Sequence, residues 1–515
     1  MKFADTTRRE FVSMAVAAPL ALAATQAASA APAGTGGAGR PAELPAMSAV
    51  DLSKAIHSKS VSCVEVMTAY LDQIERLNPK VNAIVSLQDR AGLLRQAAER
   101  DAQLAAGHSL GCMHGFPHAV KDLAATKGIR TTRGSVLADG VPTEDAIFVE
   151  RLKASGAIII GKTNTPEFGL GSQTYNSVLG TTRNAYDQGK TAGGSSGGAA
   201  AALALRMLPV ADGSDMMGSL RNPGAFNNVF GFRPSFGRVP NNGEEQFVDQ
   251  LGYNGAMGRS VTDIAMLMSV MAGPDSRDPL SIEQKPALFL EPLARKWQGV
   301  RLGWLGDLAG HLAFEPGILD LCKRTFKVFE SLGCAVEEVR PNFPPEKLWD
   351  TWLKLRHWQV AGGLGPLYAD PVKRTKLKPE AQWEVEGATH LSALDVHQAS
   401  RDRTSWYRAA AQLFERVDYL LIPSAQVFPF DASVHWPKSI NGVAMDTYHR
   451  WMEVVVPASL LGHPVLNVPV GFGPNALPMG MQIIGRHHGD FSVLQLGHAY
   501  DQVTRWVSAQ LPRLL

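Results

Sequence analysis

Apolar residues along this chain switch between the 3.6-residue period of a helix and short unbroken runs, and the alternation predicts a layered protein of helices and strands. From Ser48 to Leu77 the spacing predicts two helices. The second begins at Ser62, with Glu65 three residues on as a capping box, carries an apolar stripe through Val66, Tyr70 and Ile74, and is expected to close at Pro79. A further helix is predicted over about Ala91 to Ala106, then an apolar strand, Phe116 to Val120, leading into Lys121. Glu144 to Ser155 reads as helix and Ala157 to Ile160 as a short apolar strand, the rhythm of a sheet covered on both faces. Between Gln284 and Arg416 helical stretches alternate with short strands such as Val300 to Leu305, and Leu348, Trp349, Trp352 and Leu355 share one helical face, a core pattern before a ligand-binding one. Tyr419 to Pro423 and Val465 to Val470 read as buried strands.

Composition adds bounds. With 515 residues, 45% of them hydrophobic, and a net charge of +2, the chain can build an ample core and offers no basic excess for a nucleic-acid partner. No Pro/Gly/Ser-rich linker or charge block interrupts the body, so residues 48–515 are expected to form one large domain. Residues 1–30 read as a targeting segment: Thr7-Arg-Arg-Glu-Phe-Val12, an Ala-rich apolar run from Met14 to Ala24, and a small-residue site at Ala28-Ser-Ala30. This is the pattern of a twin-arginine signal, with export to a periplasm as the expected fate. The apolar run is short for a membrane span, so no stable membrane insertion is expected, a basic start before an anchor being the alternative. Residues 31–47 are expected to be a flexible leader. Cys63, Cys112, Cys322 and Cys334 lack metal or redox spacing, and their number leaves disulfide pairing open. His487, His488 and Asp490 supply no third convergent ligand group and read as a solvated turn, so no metal is expected.

The chemistry concentrates between Gly193 and Gly224. Gly193, Gly194, Gly197 and Gly198 let the backbone present Ser195 and Ser196 at the start of a helix predicted over Ser196 to Leu208. A second turn, Asp215-Met-Met-Gly-Ser219, offers successive backbone N–H groups beside its own serine, an oxyanion hole in the making. Two serines so placed fit acyl transfer. Gly193-Gly-Ser195-Ser-Gly197 also satisfies the G-x-S-x-G elbow of α/β-hydrolases, but the polar, turn-like Asn184 to Lys190 replaces the buried strand that an elbow needs.

The stretch GGSSGG followed by D-x-x-G-S-L-R-x-P resembles the defining motif of the amidase signature family of serine hydrolases. The resemblance extends through Gly115 to Asp122, Gly161 to Gly169 and Leu477 to Gly485, and departs at Met217, where the family usually has Gly or Ala. It implies an α/β fold with one large mixed central sheet between helices. It also implies a Ser-Ser-Lys triad in which Ser219 attacks the amide carbonyl, Ser195 bridges across a cis peptide after Gly194, and Lys121 is the base. Backbone N–H groups of Met216, Met217, Gly218 and Ser219 would hold the oxyanion, and Phe168 and Gly169 would contribute to the acyl pocket, with packing as the alternative for Phe168. His118 points opposite to Lys121 along a strand and is expected to stay out of the chemistry. No metal or organic cofactor is implied; the expected partner is a small-molecule amide, and a homodimer is left open. The competing readings are an ester-preferring hydrolase and a partner-bound member of the amidotransferase type.

Overall fold

The computed structural model describes residues 41–515; the expected signal and its cleavage site lie outside the described residues. Within the stretch expected to be a flexible leader, residues 31–47, Pro41–Ala46 forms a 3-10 turn whose Leu44 is buried in the core. One apolar side chain with a place in the core is enough to hold this short segment down.

At the centre is an eight-stranded mixed sheet in the order Ala335–Glu338, Arg301–Trp304, Tyr419–Pro423, Pro478–Ile484, Val465–Phe472, Phe230–Arg233, Tyr253–Gly258, Val210–Asp215. The first three strands run parallel and the remaining pairings are antiparallel. A three-stranded sheet, Ile84–Val85, Ile158–Thr163 and Pro117–Lys121 in spatial order, lies beyond it, with the last strand against Val210–Asp215. Residues of the central strands face helices on both sides, which is why Tyr419–Pro423 and Pro478–Ile484 are buried throughout. Among the described residues, no helix is long and apolar enough to cross a membrane.

Local signals are realised with adjustments. Ser62 and Glu65 form the full capping box of helix Cys63–Val81. Pro79 does not close that helix but sits inside it; closure is made by Asn82 in the left-handed region at φ 52° and by Asn78 Oδ1, which accepts from the N–H groups of Ala83 and Ile84. The Ala-rich helix after the first serine turn spans Gly197–Ala204 and stops short of Leu208, with Arg206 at φ 57° reversing the chain. Leu348, Trp349, Trp352 and Leu355 are buried on helix Pro345–Ala369, as core. Among the described residues all four cysteines are free. Burial pushes the Cys63 thiol up to about 12 and the Cys334 thiol to about 11, which makes both inert.

Candidate active site

Lys121 ends a strand buried along its whole length, and its own side chain is 1% exposed. Its Nζ donates to Ser195 Oγ and Ser196 Oγ, each at 2.8 Å, and to Ser214 Oγ at 3.0 Å and Ser214 O at 3.3 Å. All are neutral acceptors. Burial therefore dominates and pushes the amine down to about 7, against the pull of Asp212 and Asp215, which favour the ammonium. Asp122, just past the end of the strand, is turned to Thr132, which donates to it through N–H at 3.2 Å and through Oγ1 at 2.5 Å. His118 is turned away from the serines, donating from Nε2 to Asp212 Oδ1 at 2.9 Å.

The first serine turn needs its glycines for want of room. Gly193 takes φ +72°, and a Cβ there would lie 2.5 Å from Asn222 Oδ1. The Gly194–Ser195 peptide is cis. Ser196 N–H donates to Ser219 O at 3.1 Å, so the two serine turns are joined main chain to main chain.

The second turn is organised by Asp215, fully buried. Arg221 grips it through Nε at 3.0 Å and Nη2 at 2.8 Å, and Arg233 Nη1 donates to its carbonyl. Burial raises the Asp215 carboxyl, but the charge and hydrogen bonds of Arg221 outweigh it and hold the group well below the usual carboxylate range. The ionised carboxylate accepts from Gly218 N–H at 2.9 Å and Leu220 N–H at 3.1 Å. This corrects one expected donor: the N–H of Gly218 is engaged inside the turn and does not face a substrate. The groups without a partner among the described residues are the N–H groups of Met216, Met217 and Ser219. The left-handed residue of the turn is Gly218, at φ +78°, so Met217 keeps an ordinary backbone.

Ser195 and Ser219 open into one cavity of about 660 Å³, also lined by Met216, Met217, Phe168 and Gly169. Among the described residues no hydrogen bond joins the two hydroxyls. Phe168 has φ 50° and its N–H donates to Arg133 O at 2.8 Å; a Cβ on Gly169 would come within 3.5 Å of Ser195 Oγ. Sequence reasoning missed the roles of three residues. Ser196 and Ser214 hold Lys121, and both stand beside motif residues where adjacency was the available signal. Arg356 reaches the cavity from helix Pro345–Ala369, paired through Nε with Glu384 at 2.5 Å and through Nη2 with Tyr448 at 2.7 Å. Its partners lie 28 and 92 residues away in sequence, so no local signal marked it.

Asp490 corrects another expectation. His487 and His488 are exposed and stacked at 3.8 Å, as a solvated turn suggests, but Asp490 is buried, accepting from Ser235 N–H and Oγ at 2.7 Å each and from Arg238 at 2.9 Å. Among the described residues no group of three His, Cys, Asp or Glu is placed to hold a metal.

A family model described as Amidase matches residues 65–494. The chain belongs to the amidase signature family. The chain is 33% identical to an acylamidase of Rhodococcus erythropolis over 473 residues, covering 89% of this chain and 96% of that one. It is equally 33% identical, over 486 residues, to the A component of the glutamyl-tRNA(Gln) amidotransferase of Thermosynechococcus vestitus, covering 89% and 98%. Its fold superposes on the crystal structure of a bacterial aryl acylamidase of the same family with a TM-score of 0.83, at 29% identity over 89% of this chain and 96% of that chain.

Proposed function

We propose that this amidase signature hydrolase cleaves a carboxylic amide to an acid and ammonia or an amine through an acyl-enzyme on Ser219. Ser219 Oγ attacks the carbonyl while its proton passes to Ser195, whose own proton passes to neutral Lys121. The oxyanion is met by N–H groups of Met216, Met217 and Ser219. The relay then returns a proton to the leaving nitrogen, and water releases the acid by the same route. The observation that carries this reading is the 2.8 Å bond from a buried Lys121 to Ser195 Oγ at the wall of the cavity shared with Ser219. A lysine whose amine is pushed down to about 7 is in large part neutral at working pH. The acylamidase and aryl acylamidase relatives support an N-acyl or aryl amide as substrate class.

The test is labelling with a fluorophosphonate followed by peptide mass spectrometry: the adduct is expected on Ser219 and absent from Ser219→Ala. An adduct on Ser195 returns the elbow reading. Identity to amidotransferase components favours a second reading, transfer of amide nitrogen within a larger assembly. Release of free acid and amine by the isolated chain supports hydrolysis; strict dependence on added partner proteins supports transfer. Parallel rates on an amide and its matching ester decide between amidase and esterase.

We also propose export by the twin-arginine route, with a mature chain starting near Ala31, on the strength of Arg8-Arg9 and Ala28-Ser-Ala30. Mass spectrometry of the periplasmic protein checks it; a full-length chain held in the cytoplasm of a host with a working pathway defeats it.

A further inference from the structure

The two sheets meet without a main-chain ladder. Pro117–Lys121 pairs with Ile158–Thr163, and Val210–Asp215 pairs with Tyr253–Gly258, but the edges these two strands turn to each other are joined by a side chain. Asp212 Oδ2 accepts the backbone N–H of Lys121 at 3.1 Å, and Asp212 Oδ1 accepts from His118 Nε2 at 2.9 Å. The His118 and Asp212 side chains are 0% and 1% exposed. An aspartate inside a strand runs against propensity, and a carboxylate out of water is costly unless its donors are in place, so a packing role alone would favour an apolar residue. Among the described residues the Nδ1 of His118 has no partner. That suits a ring with its one proton on Nε2, since an imidazolium would leave a buried N–H unpaired.

We propose that Asp212 is a positioning residue for the base: its carboxylate fixes the main chain of Lys121 against the signature strand, and its negative charge, held in place by His118, acts on the amine that receives the proton from Ser195. This rests on the reading of Lys121 as base. The charged groups around the amine support it. Asp212 and Asp215, both on Val210–Asp215, draw the amine upward against burial. Asp215 is compensated by Arg221 and Arg233, whereas among the described residues Asp212 has no arginine or lysine at ion-pair distance. On the opposite side Lys162 is engaged with Ala124 O and Thr126 Oγ1, and Asp122 with Thr132.

The test is the pH profile of kcat/KM on a neutral amide for Asp212→Asn. Asparagine keeps an oxygen for Lys121 N–H while removing the charge; its amide can donate to His118 only with the ring proton moved to the unpartnered Nδ1, a cost to stability that the pH of the limb does not register. The acid limb is expected to move down by about one pH unit, the low end of what a neighbouring opposite charge does. Plateau kcat should fall about three- to tenfold because a weaker base takes the proton, with KM unchanged because Asp212 does not line the cavity. An unmoved acid limb in a folded variant overturns the proposal. If Asp212→Asn alone fails to fold, pairing it with His118→Gln gives the same readout, since the glutamine oxygen accepts from the asparagine amide while the asparagine oxygen keeps the Lys121 N–H. Lys121→Ala run alongside separates the two readings. A limb that survives Lys121→Ala overturns Lys121 as base; a limb lost with Lys121 but unmoved by Asp212→Asn overturns only the role of Asp212.

Discussion

Lys121 Nζ lies 2.8 Å from both Ser195 Oγ and Ser196 Oγ, so two hydroxyls compete for one base. Their surroundings separate them. Ser195 lines the cavity beside Ser219, whereas Ser196 is fully buried and its Oγ donates to Ser214 O at 3.3 Å. Ser195→Ala should therefore slow acylation of Ser219 by roughly 10²–10⁴, the range of general-base catalysis, while Ser196→Ala, which removes a support of the amine, should cost about tenfold. Rates of fluorophosphonate labelling measure both. A larger loss from Ser196→Ala would make Ser196 the bridge.

Activity should rise with pH through the value at which Lys121 loses its proton. A free lysine would be neutral in only a few molecules per ten thousand at pH 7, whereas an amine near 7 is neutral in about half. The expected profile of kcat/KM climbs between about pH 6 and 8 and then levels. Lys121→Ala should remove the climb along with roughly 10²–10⁴ of the rate. A climb retained in that variant would assign it to another group.

The same depressed amine makes a stability prediction whose sign is fixed. Between about pH 7 and 10.5 the unfolded chain binds a proton at Lys121 that the folded chain does not, so this residue makes stability rise with pH across that window and costs most at and below its lower end. Lys121→Met fills the space with an apolar side chain and removes the linkage. The variant is expected to be more stable than its parent by about 1–4 kcal/mol at pH 7, with the difference shrinking toward pH 10. Urea midpoints at pH 7 and 9.5 measure it, and a difference that widened with pH would contradict a neutral buried lysine.

What the sequence revealed of this site follows from how local each signal is. The serine turns, the capping box at Ser62 and Glu65 and the lysine strand are written in adjacent residues, and the structure has them where spacing put them. Pro79 misled because proline is read as a stop, while closure belongs to the side chain of Asn78 and the left-handed Asn82. Gly218 misled because a row of N–H groups does not reveal which one its own turn consumes; that depends on a carboxylate fixed by Arg221 and Arg233. Asp212, Arg356 and Asp490 find their partners across 91, 28 and 252 residues of chain, and no spacing rule spans such distances.

Met217 gives the sharpest prediction about specificity. It stands where the family usually has a small residue, is 6% exposed, and lines the cavity next to Met216 and Ser219. Its backbone is relaxed, because Gly218 takes the left-handed position, and a Cβ on Gly218 would lie 3.0 Å from Met452 Cε and Val455 Cγ1. Met217→Gly should thus relieve no strain and leave the N–H donor of residue 217 where it is, while deleting one wall of the acyl site. The expected result is a relative gain of about 10–200-fold in kcat/KM for a bulky acyl group over acetyl, with the acetyl amide little changed in kcat. Loss of a buried methionine should also lower stability by about 2–5 kcal/mol, so rates are compared at a temperature where both proteins are folded. A uniform loss across acyl sizes would place the side chain of Met217 in support of the turn and not in the wall of the pocket.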